Sequence, residues 1–241
     1  FRSKKMIAVV IVWTVLLFVF LALGDIFVLA HDRIIKKGSL LSQFDTFFIG
    51  LAVAGAISCT LSLITPLTST LFLIILLGTL LYWIIQRKRL FSLIKGVITT
   101  CRGFSIWGQF FLLFIVFIVL YHSASFSSAY DQFLYHQQHV KWLQEYGVVN
   151  GLANLHTRFG FNSSSLSITA MLAFHPDLKI SFTALNGLCL SVFSIWLITK
   201  LLRSKNTAYR LICAVTMIAF IHFYAMELSS TSTDVMVNVI V

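Results

Sequence analysis

Charged residues are scarce in this chain. Of its 241 residues only 11% are charged, 18 basic and 8 acidic, whereas 59% are hydrophobic. A soluble domain averages about 25% charged residues, so this composition excludes a water-soluble fold. With only two prolines and 12 glycines, the apolar runs are seldom interrupted. Because backbone groups in lipid must hydrogen-bond internally, the sequence predicts an all-α, polytopic bundle of transmembrane helices.

Signatures of soluble-cofactor enzymes are also missing. The sequence has no GxGxxG, Walker, HExxH or GxSxG motif, which disfavours that class. The four cysteines form no CxxC pair and lie in or beside apolar segments, so packing is favoured over disulfides or zinc ribbons. A formal net charge of +10 would suggest nucleic acid as the partner of a soluble protein. Here the basic residues cluster between apolar segments, so membrane topology accounts for them and no nucleic-acid partner is expected.

Six apolar segments are long enough to cross, or nearly cross, a bilayer, which needs about 20 apolar residues. They are residues 6–30, 47–64, 67–85, 104–123, 180–202 and 208–226. A seventh is expected to begin near Val235, giving six to seven spans. The apolar run 165–174 is too short to span and predicts a surface or re-entrant helix.

These segments predict three regions: a four-span bundle over residues 1–123, an outward loop with a juxtamembrane helix over 124–165, and further spans over 166–241. The chain opens on Phe1 rather than Met and stops inside an apolar run. We therefore expect it to be a piece of a longer protein.

The basic residues set the expected orientation. If the stretch from Arg87 to Arg102 faces the cytoplasm, alternation places 12 basic residues inside and six outside, as the positive-inside rule favours. The long polar stretch 124–164 and the segment 227–234 then face outwards. The N-terminal Arg-Ser-Lys-Lys is the exception to this pattern.

The outward stretch predicts an amphipathic helix from Asp131 to Tyr146. Asp131 suits an N-cap or first-turn position, and Gly147 is placed to end the helix. One face carries an aromatic stripe suited to the headgroup layer, and the other is polar. The stripe is Tyr135, His139, Trp142 and Tyr146, and the polar face is Gln137, Lys141, Gln144 and Glu145. An interfacial anchor alone explains the stripe, but not the acid and two histidines near its start.

Polar donors follow this helix. Asn154, His156, Arg158 and Asn162 form a cluster able to hold a phosphate or a sugar, or alternatively a solvated loop whose Arg158 meets lipid headgroups. His136 and His139 have an i, i+3 spacing that can bind metal, but no third ligand matches it. No metal site is therefore assigned, although a divalent ion remains open.

Acids near the membrane are costly and often functional. Asp25 lies in the first segment, far enough along to reach headgroups; Asp45 is expected to cap a helix, and Glu227 ends the sixth segment. Asp131 and Asp234 share the outer face, where they could serve as base and metal ligand, or as base and orienting group. The alternative for Asp234 is an N-cap of the following helix.

Three motifs carry a resemblance to a known family. They are Tyr130-Asp131-x-x-Leu134-Tyr135-His136, Trp142-x-x-Glu145-Tyr146-Gly147 and Gly151-Leu-x-Asn154-Leu-His156-x-Arg158-x-Gly-Phe-Asn162-Ser-Ser. Together they resemble a family of bacterial multi-pass membrane proteins that is itself similar to the GT-C glycosyltransferases. The Ser-rich stretch ending at Asp234 matches that family's second outer acid segment. Here four spans precede the loop, and Gln132 follows Asp131 where some GT-C enzymes have a second acid.

The resemblance implies transfer of a sugar from a polyprenyl-phosphate donor to a lipid or glycan acceptor of the cell envelope. Asp131 would be the general base or orient the acceptor, with Asp234 as the second catalytic acid. Substrate would be bound by Tyr135, His136, His139, Asn154, His156, Arg158 and Asn162. The expected place is the bacterial inner membrane, with the active loop in the periplasm and membrane lipids around it. A transporter or flippase of lipid-linked substrates, or a non-catalytic scaffold, are the alternatives.

Overall fold

The computed structural model describes residues 2–35, 41–127, 129–160, 163–172 and 184–240. Over these residues it contains helices and no strands, which confirms the predicted all-α, polytopic class. The α-helices are α1 Arg2–Ile35, α2 Gln43–Ser62, α3 Ser69–Ile85, α4 Arg87–Arg102, α5 Ile106–Ser123, α6 Gln137–Glu145, α7 Ser164–Leu172, α8 Ala184–Arg203, α9 Thr207–Tyr224 and α10 Asp234–Ile240.

Five of the described helices are long and apolar enough to cross a membrane by themselves: α1, α2, α5, α8 and α9. The pair α3 and α4 qualifies only together and bends by 91° at its junction. Each predicted apolar segment therefore corresponds to a helix, and the protein is an integral membrane protein. Helix α10 begins at Asp234, one residue before the predicted start of a seventh segment.

Helix α4 was read from the sequence only as a basic stretch. In the structure it is a 16-residue helix with no buried residue. Phe91, Ile94 and Ile98 recur at helical spacing and are exposed, so they form an apolar stripe on a basic helix. Such a helix, set across the end of α3, suits the membrane surface.

Helix α7 corresponds to the short apolar run 165–174, for which the sequence predicts a surface helix or a re-entrant helix. Its residues 165–172 are all buried, and α7 packs against α2, α3 and α6. The expectation of a surface helix is therefore wrong, because every side of α7 is covered by protein. The predicted end of this run at His175-Pro176 lies outside the described residues.

Helices α1 and α2 form the most extensive packing of the bundle. They cross where Gly24 faces the backbone of Thr46 and Gly50 faces that of Phe20, and a Cβ on either glycine would overlap a carbonyl. Small residues permit such close contact between helices in a membrane. The start of α2 carries a capping box between Ser42 and Asp45, which confirms the expected cap.

Asp25 does not reach out to headgroups. It is buried, and Arg89 of α4 donates to it from Nε at 2.8 Å and from Nη2 at 2.5 Å. The hydroxyl of Tyr82 donates to the same carboxylate. The acid of α1 thus fixes the bend between α3 and α4.

Candidate functional site

The juxtamembrane helix begins at Tyr130 and has an irregular first half. Residues Gln132–His136 form a π-helical turn, which continues into α6. Asp131 is itself helical, with φ −70° and ψ −18°, and its side chain makes no cap bond, so the N-cap expectation is wrong and the first-turn position holds. Helix α6 ends at Glu145, and Gly147, with φ +74°, follows its C-cap as the predicted terminating glycine. Val148 then donates to the carbonyl of Ser62, tying this end to α2.

The faces of the juxtamembrane helix differ in part from the predicted ones. A π turn inserts one extra residue, so the positions before and after it no longer follow a single α-helical spacing. Among the four residues of the predicted aromatic stripe, His139 is buried whereas Tyr146 is exposed. On the side expected to be polar, Gln144 donates to the carbonyl of Ala170 in α7. The predicted division into two faces is therefore only partly correct.

Asp131 and Arg158 form the centre of the site. Arg158 lies in a short 3₁₀ turn, Thr157–Gly160, and its Nη1 donates to Oδ1 of Asp131 at 2.6 Å. The Tyr135 hydroxyl donates to the other carboxylate oxygen at 3.3 Å. The guanidinium carbon lies 4.8 Å from the centre of the Tyr135 ring, and the ring of His156 stacks on the same tyrosine. Arg158 is protonated, as arginine always is in proteins, and its hydrogen bond to Asp131 raises its pKa further.

A cavity of about 370 Å³ opens beside this pair. It brings together the two predicted catalytic acids, Asp131 and Asp234, although they lie about a hundred residues apart in the sequence. Glu227 is a third carboxylate in its wall, and His136 lies there too. From the sequence, Glu227 is expected only to end a span. Its position directly before the outer Ser-rich segment is the signal that could have identified it as a site residue.

His136 is buried in the wall of this cavity. Its Nδ1 has no hydrogen-bond partner among the described residues. Burial lowers the pKa of His136; Asp131 and Asp234 oppose this shift, and Arg158 adds to it. His139, also buried, has its pKa lowered by burial and by His136. Both imidazoles therefore favour their neutral form in the folded protein.

The Ser-rich segment before Asp234 is held from two sides. Residues Ser229 to Ser232 are all buried. The side-chain oxygen of Gln132 accepts from the backbone and hydroxyl of Thr231, at 2.7 and 2.9 Å. From α8, the Asn186 amide donates to the carbonyl of Ser232 at 2.8 Å. Neither amide is evident from the sequence as a positioning residue, because Gln132 stands at an unspecified position of its motif and Asn186 stands in none.

Not all of the predicted site residues meet at this cavity. Tyr135 lines it, and Arg158 and His156 join it through Asp131 and Tyr135. His139 instead lines a separate cavity of about 220 Å³ with Trp142 and Phe159. Asn154 ends a 3₁₀ turn and is exposed, and Asn162 lies outside the described residues.

Metal-binding chemistry finds no support in the described part of the chain. No group of three or more His, Cys, Asp or Glu side chains there is placed to hold a metal ion.

Asp234 occupies the first turn of α10 rather than an N-cap position, and its backbone N–H donates to the hydroxyl of Ser232. The site is therefore described by its carboxylates, its histidine and its arginine.

Comparison with known proteins gives a family. Residues 6–241 match the family described as a domain of unknown function, DUF8201. The chain belongs to the DUF8201 family. No curated protein and no solved structure matches it. The indications of what this DUF8201 chain does therefore come from the residues of its own site.

Proposed function

We propose that this protein is a membrane glycosyltransferase of GT-C type, which transfers a sugar from a polyprenyl-phosphate donor to an acceptor of the cell envelope. The observation that carries the proposal is the convergence of Asp131, Glu227 and Asp234 on one cavity beside Arg158. A single surface thus combines carboxylates that can accept a proton with a cation that can hold a phosphate.

The position of the cavity suits a lipid-linked donor. Phe223, in the last turn of α9, and Met226, just after this helix, lie in its wall and are 72% and 66% exposed. An acyl or prenyl chain could lie against these side chains while its phosphate reaches the polar wall. A soluble substrate would have no need of such an apolar edge.

The proposed reaction is a single displacement at the anomeric carbon. Asp131 takes the proton of the acceptor hydroxyl while the acceptor oxygen forms a bond to that carbon. The bond from the anomeric carbon to the phosphate oxygen breaks, and its electron pair leaves with the polyprenyl phosphate. Arg158 stabilises the charge that develops on this phosphate.

The ion pair between Asp131 and Arg158 belongs to the resting site in this scheme. Both side chains are partly exposed, 40% for Asp131 and 43% for Arg158, so an arriving phosphate can engage the guanidinium. Once the phosphate competes for Arg158, the Asp131 carboxylate is freed to accept a proton. Binding of the donor thereby makes the Asp131 carboxylate available as the general base.

We place the protein in the inner membrane of a bacterium, with this cavity facing the periplasm. The excess of basic residues at the opposite helix ends supports that orientation. On the periplasmic side the donor is a lipid-linked sugar rather than a soluble nucleotide sugar, which agrees with the lack of nucleotide-binding motifs.

The test is complementation of a strain that lacks the full-length gene, with its cell-surface glycan profiled. Wild type should restore a sugar that the deletion loses, and Asp131→Asn should not, at equal abundance in the membrane. Glu145→Gln is the matched control, because Glu145 is an exposed acid of α6 outside the cavity wall. An unchanged glycan on deletion, or full restoration by Asp131→Asn, would overturn the proposal.

A further inference from the structure

A second polar cavity lies where four helix ends meet: the start of α2, the end of α4, the end of α8 and the start of α9. Its volume is about 380 Å³. It is lined by Ser42, Gln43, Phe44, Thr100, Trp196, Thr199, Lys200, Arg203, Ser204 and Tyr209. We call it the basic cavity.

The basic cavity is at the opposite end of the bundle from Asp131. Helix α8 connects the two ends: Asn186 at its start bonds the Ser-rich segment of the outer site, and Arg203 at its end lines the basic cavity. A helix of 20 residues is about 30 Å long. The two cavities are therefore separate sites on opposite membrane faces.

The charged residues that line this cavity are all basic. Lys200 and Arg203 lie one turn apart at the end of α8, and no acid is among the lining residues. In the part of the chain that the structure describes, neither takes part in an ion pair. Asp45, in the first turn of α2, accepts from the backbone and hydroxyl of Ser42. The two cations thus meet a neutral, hydroxyl-bearing wall.

Aromatic and hydroxyl groups complete the wall. The ammonium of Lys200 lies 5.5 Å from the centre of the Trp196 ring, which orients the side chain along α8. Thr199 is buried beside it, and Tyr209 lies across the cavity at the start of α9. Tryptophan and tyrosine at span ends are typical of the membrane–water interface. The cavity thus combines phosphate-binding cations with interfacial aromatic side chains.

We infer that the basic cavity binds a phosphate group, held by Lys200 and Arg203, at the membrane face opposite the outer site. Basic residues in the last turn of α8 also complement the helix dipole. The dipole does not account for a cavity lined from four helices without one acid. Two sources could supply the phosphate: the headgroup of an anionic phospholipid, or a soluble phosphate.

The experiment measures the thermal unfolding temperature of the full protein in a neutral detergent. Phosphatidylglycerol, phosphatidylcholine and sodium phosphate are added separately, because a ligand that binds the folded state raises this temperature. Lys200→Gln/Arg203→Gln is compared with Lys205→Gln/Arg210→Gln. All four side chains are exposed, so the second pair removes the same charge from equally exposed positions that lie outside the cavity wall.

We expect phosphatidylglycerol to stabilise the wild type and the control pair, and phosphatidylcholine to have no effect. In the Lys200→Gln/Arg203→Gln variant the concentration needed for half the effect should rise at least about tenfold, since two charged hydrogen-bond donors are lost. Stabilisation by sodium phosphate but not by the lipid would identify a soluble ligand at the same site. Equal responses in all three proteins would overturn the inference. So would the absence of any stabilisation of the wild type by phosphatidylglycerol and by sodium phosphate.

Discussion

Arg158 and Asp131 lie 27 positions apart in the chain, and the guanidinium Nη1 of one is 2.6 Å from the carboxylate Oδ1 of the other. The pair joins the 3₁₀ turn Thr157–Gly160 to the start of the juxtamembrane helix. It therefore assembles the outer site from two parts of the loop. Both side chains are substantially exposed, so the ion pair contributes little to the stability of the protein and mainly positions the two loop segments.

The first prediction concerns Arg158. If the proposed reaction is correct, replacing Arg158 with glutamine should lower sugar transfer about 100-fold, since the cation proposed to stabilise the departing phosphate is lost. The protein should still fold, because an exposed ion pair contributes little. The measurement is the glycan profile of the complemented strain, with membrane abundance checked by immunoblot. Lys141→Gln is the control, since Lys141 is an exposed base of α6 outside the cavity. Wild-type glycan in the Arg158→Gln strain would remove Arg158 from the mechanism.

The second prediction concerns the crossing of α1 and α2. Gly24→Ala or Gly50→Ala should destabilise the protein by about 2 kcal/mol, because the new Cβ would overlap a backbone carbonyl that cannot move aside. Gly78→Ala is the control: a Cβ there meets nothing within 4 Å, and alanine favours the helix. Thermal unfolding in detergent measures all three. Equal unfolding temperatures for the three variants would show that the two helices do not pack so closely.

The spans could be predicted from the sequence because hydropathy is a local property. A run of about 20 apolar residues has few alternatives to a transmembrane helix. Each of the six predicted segments corresponds to a described helix, and only α3 needs its neighbour α4 to qualify as a span. Helix α4 is not evident from the sequence because its basic residues stand out as a topology signal. The helical spacing of the apolar residues between them, Phe91, Ile94 and Ile98, is the signal that indicates the helix.

The outer site could be predicted only in part. The distribution of basic residues predicts Asp131 and Asp234 on one face, and both line the same cavity. Gln132 and Asn186 were missed because their roles depend on contacts with Thr231 and Ser232, far along the chain. The π turn cannot be recognised in the sequence either, since no amino-acid pattern marks its extra residue.

The third prediction concerns the ion pair between Asp25 and Arg89. Arg89→Gln should destabilise the protein by about 3 kcal/mol, because it leaves the buried Asp25 carboxylate without its cation. Asp25→Asn should cost less, since Arg89 is partly exposed and can turn to water. The double variant should recover part of the loss, and thermal unfolding of all four proteins measures this coupling. Strictly additive losses would show that the two groups do not interact.

The fourth prediction concerns orientation. A cysteine placed at the exposed Leu155 of the outer loop should react with a membrane-impermeant maleimide in intact cells. One placed at Lys205, between α8 and α9, should react only after permeabilisation. Labelling is measured against the parent protein, whose own four cysteines supply the background. The reverse pattern would put the carboxylate cavity in the cytoplasm and remove the basis for a polyprenyl-phosphate donor.

The last prediction concerns acid sensitivity. Burial lowers the pKa of His136 below its ordinary value of 6.5, so the unfolded chain binds a proton before the folded one. The unfolding free energy should therefore fall as the pH drops below about 6.5, and be fully retained above it. His136→Gln should flatten this dependence between pH 7.5 and 5.5, whereas His222→Gln, at an exposed position of α9, should not. His139, whose pKa is also lowered, accounts for the slope that remains. Identical pH profiles for wild type and His136→Gln would show that the neutral imidazole of His136 does not stabilise the fold.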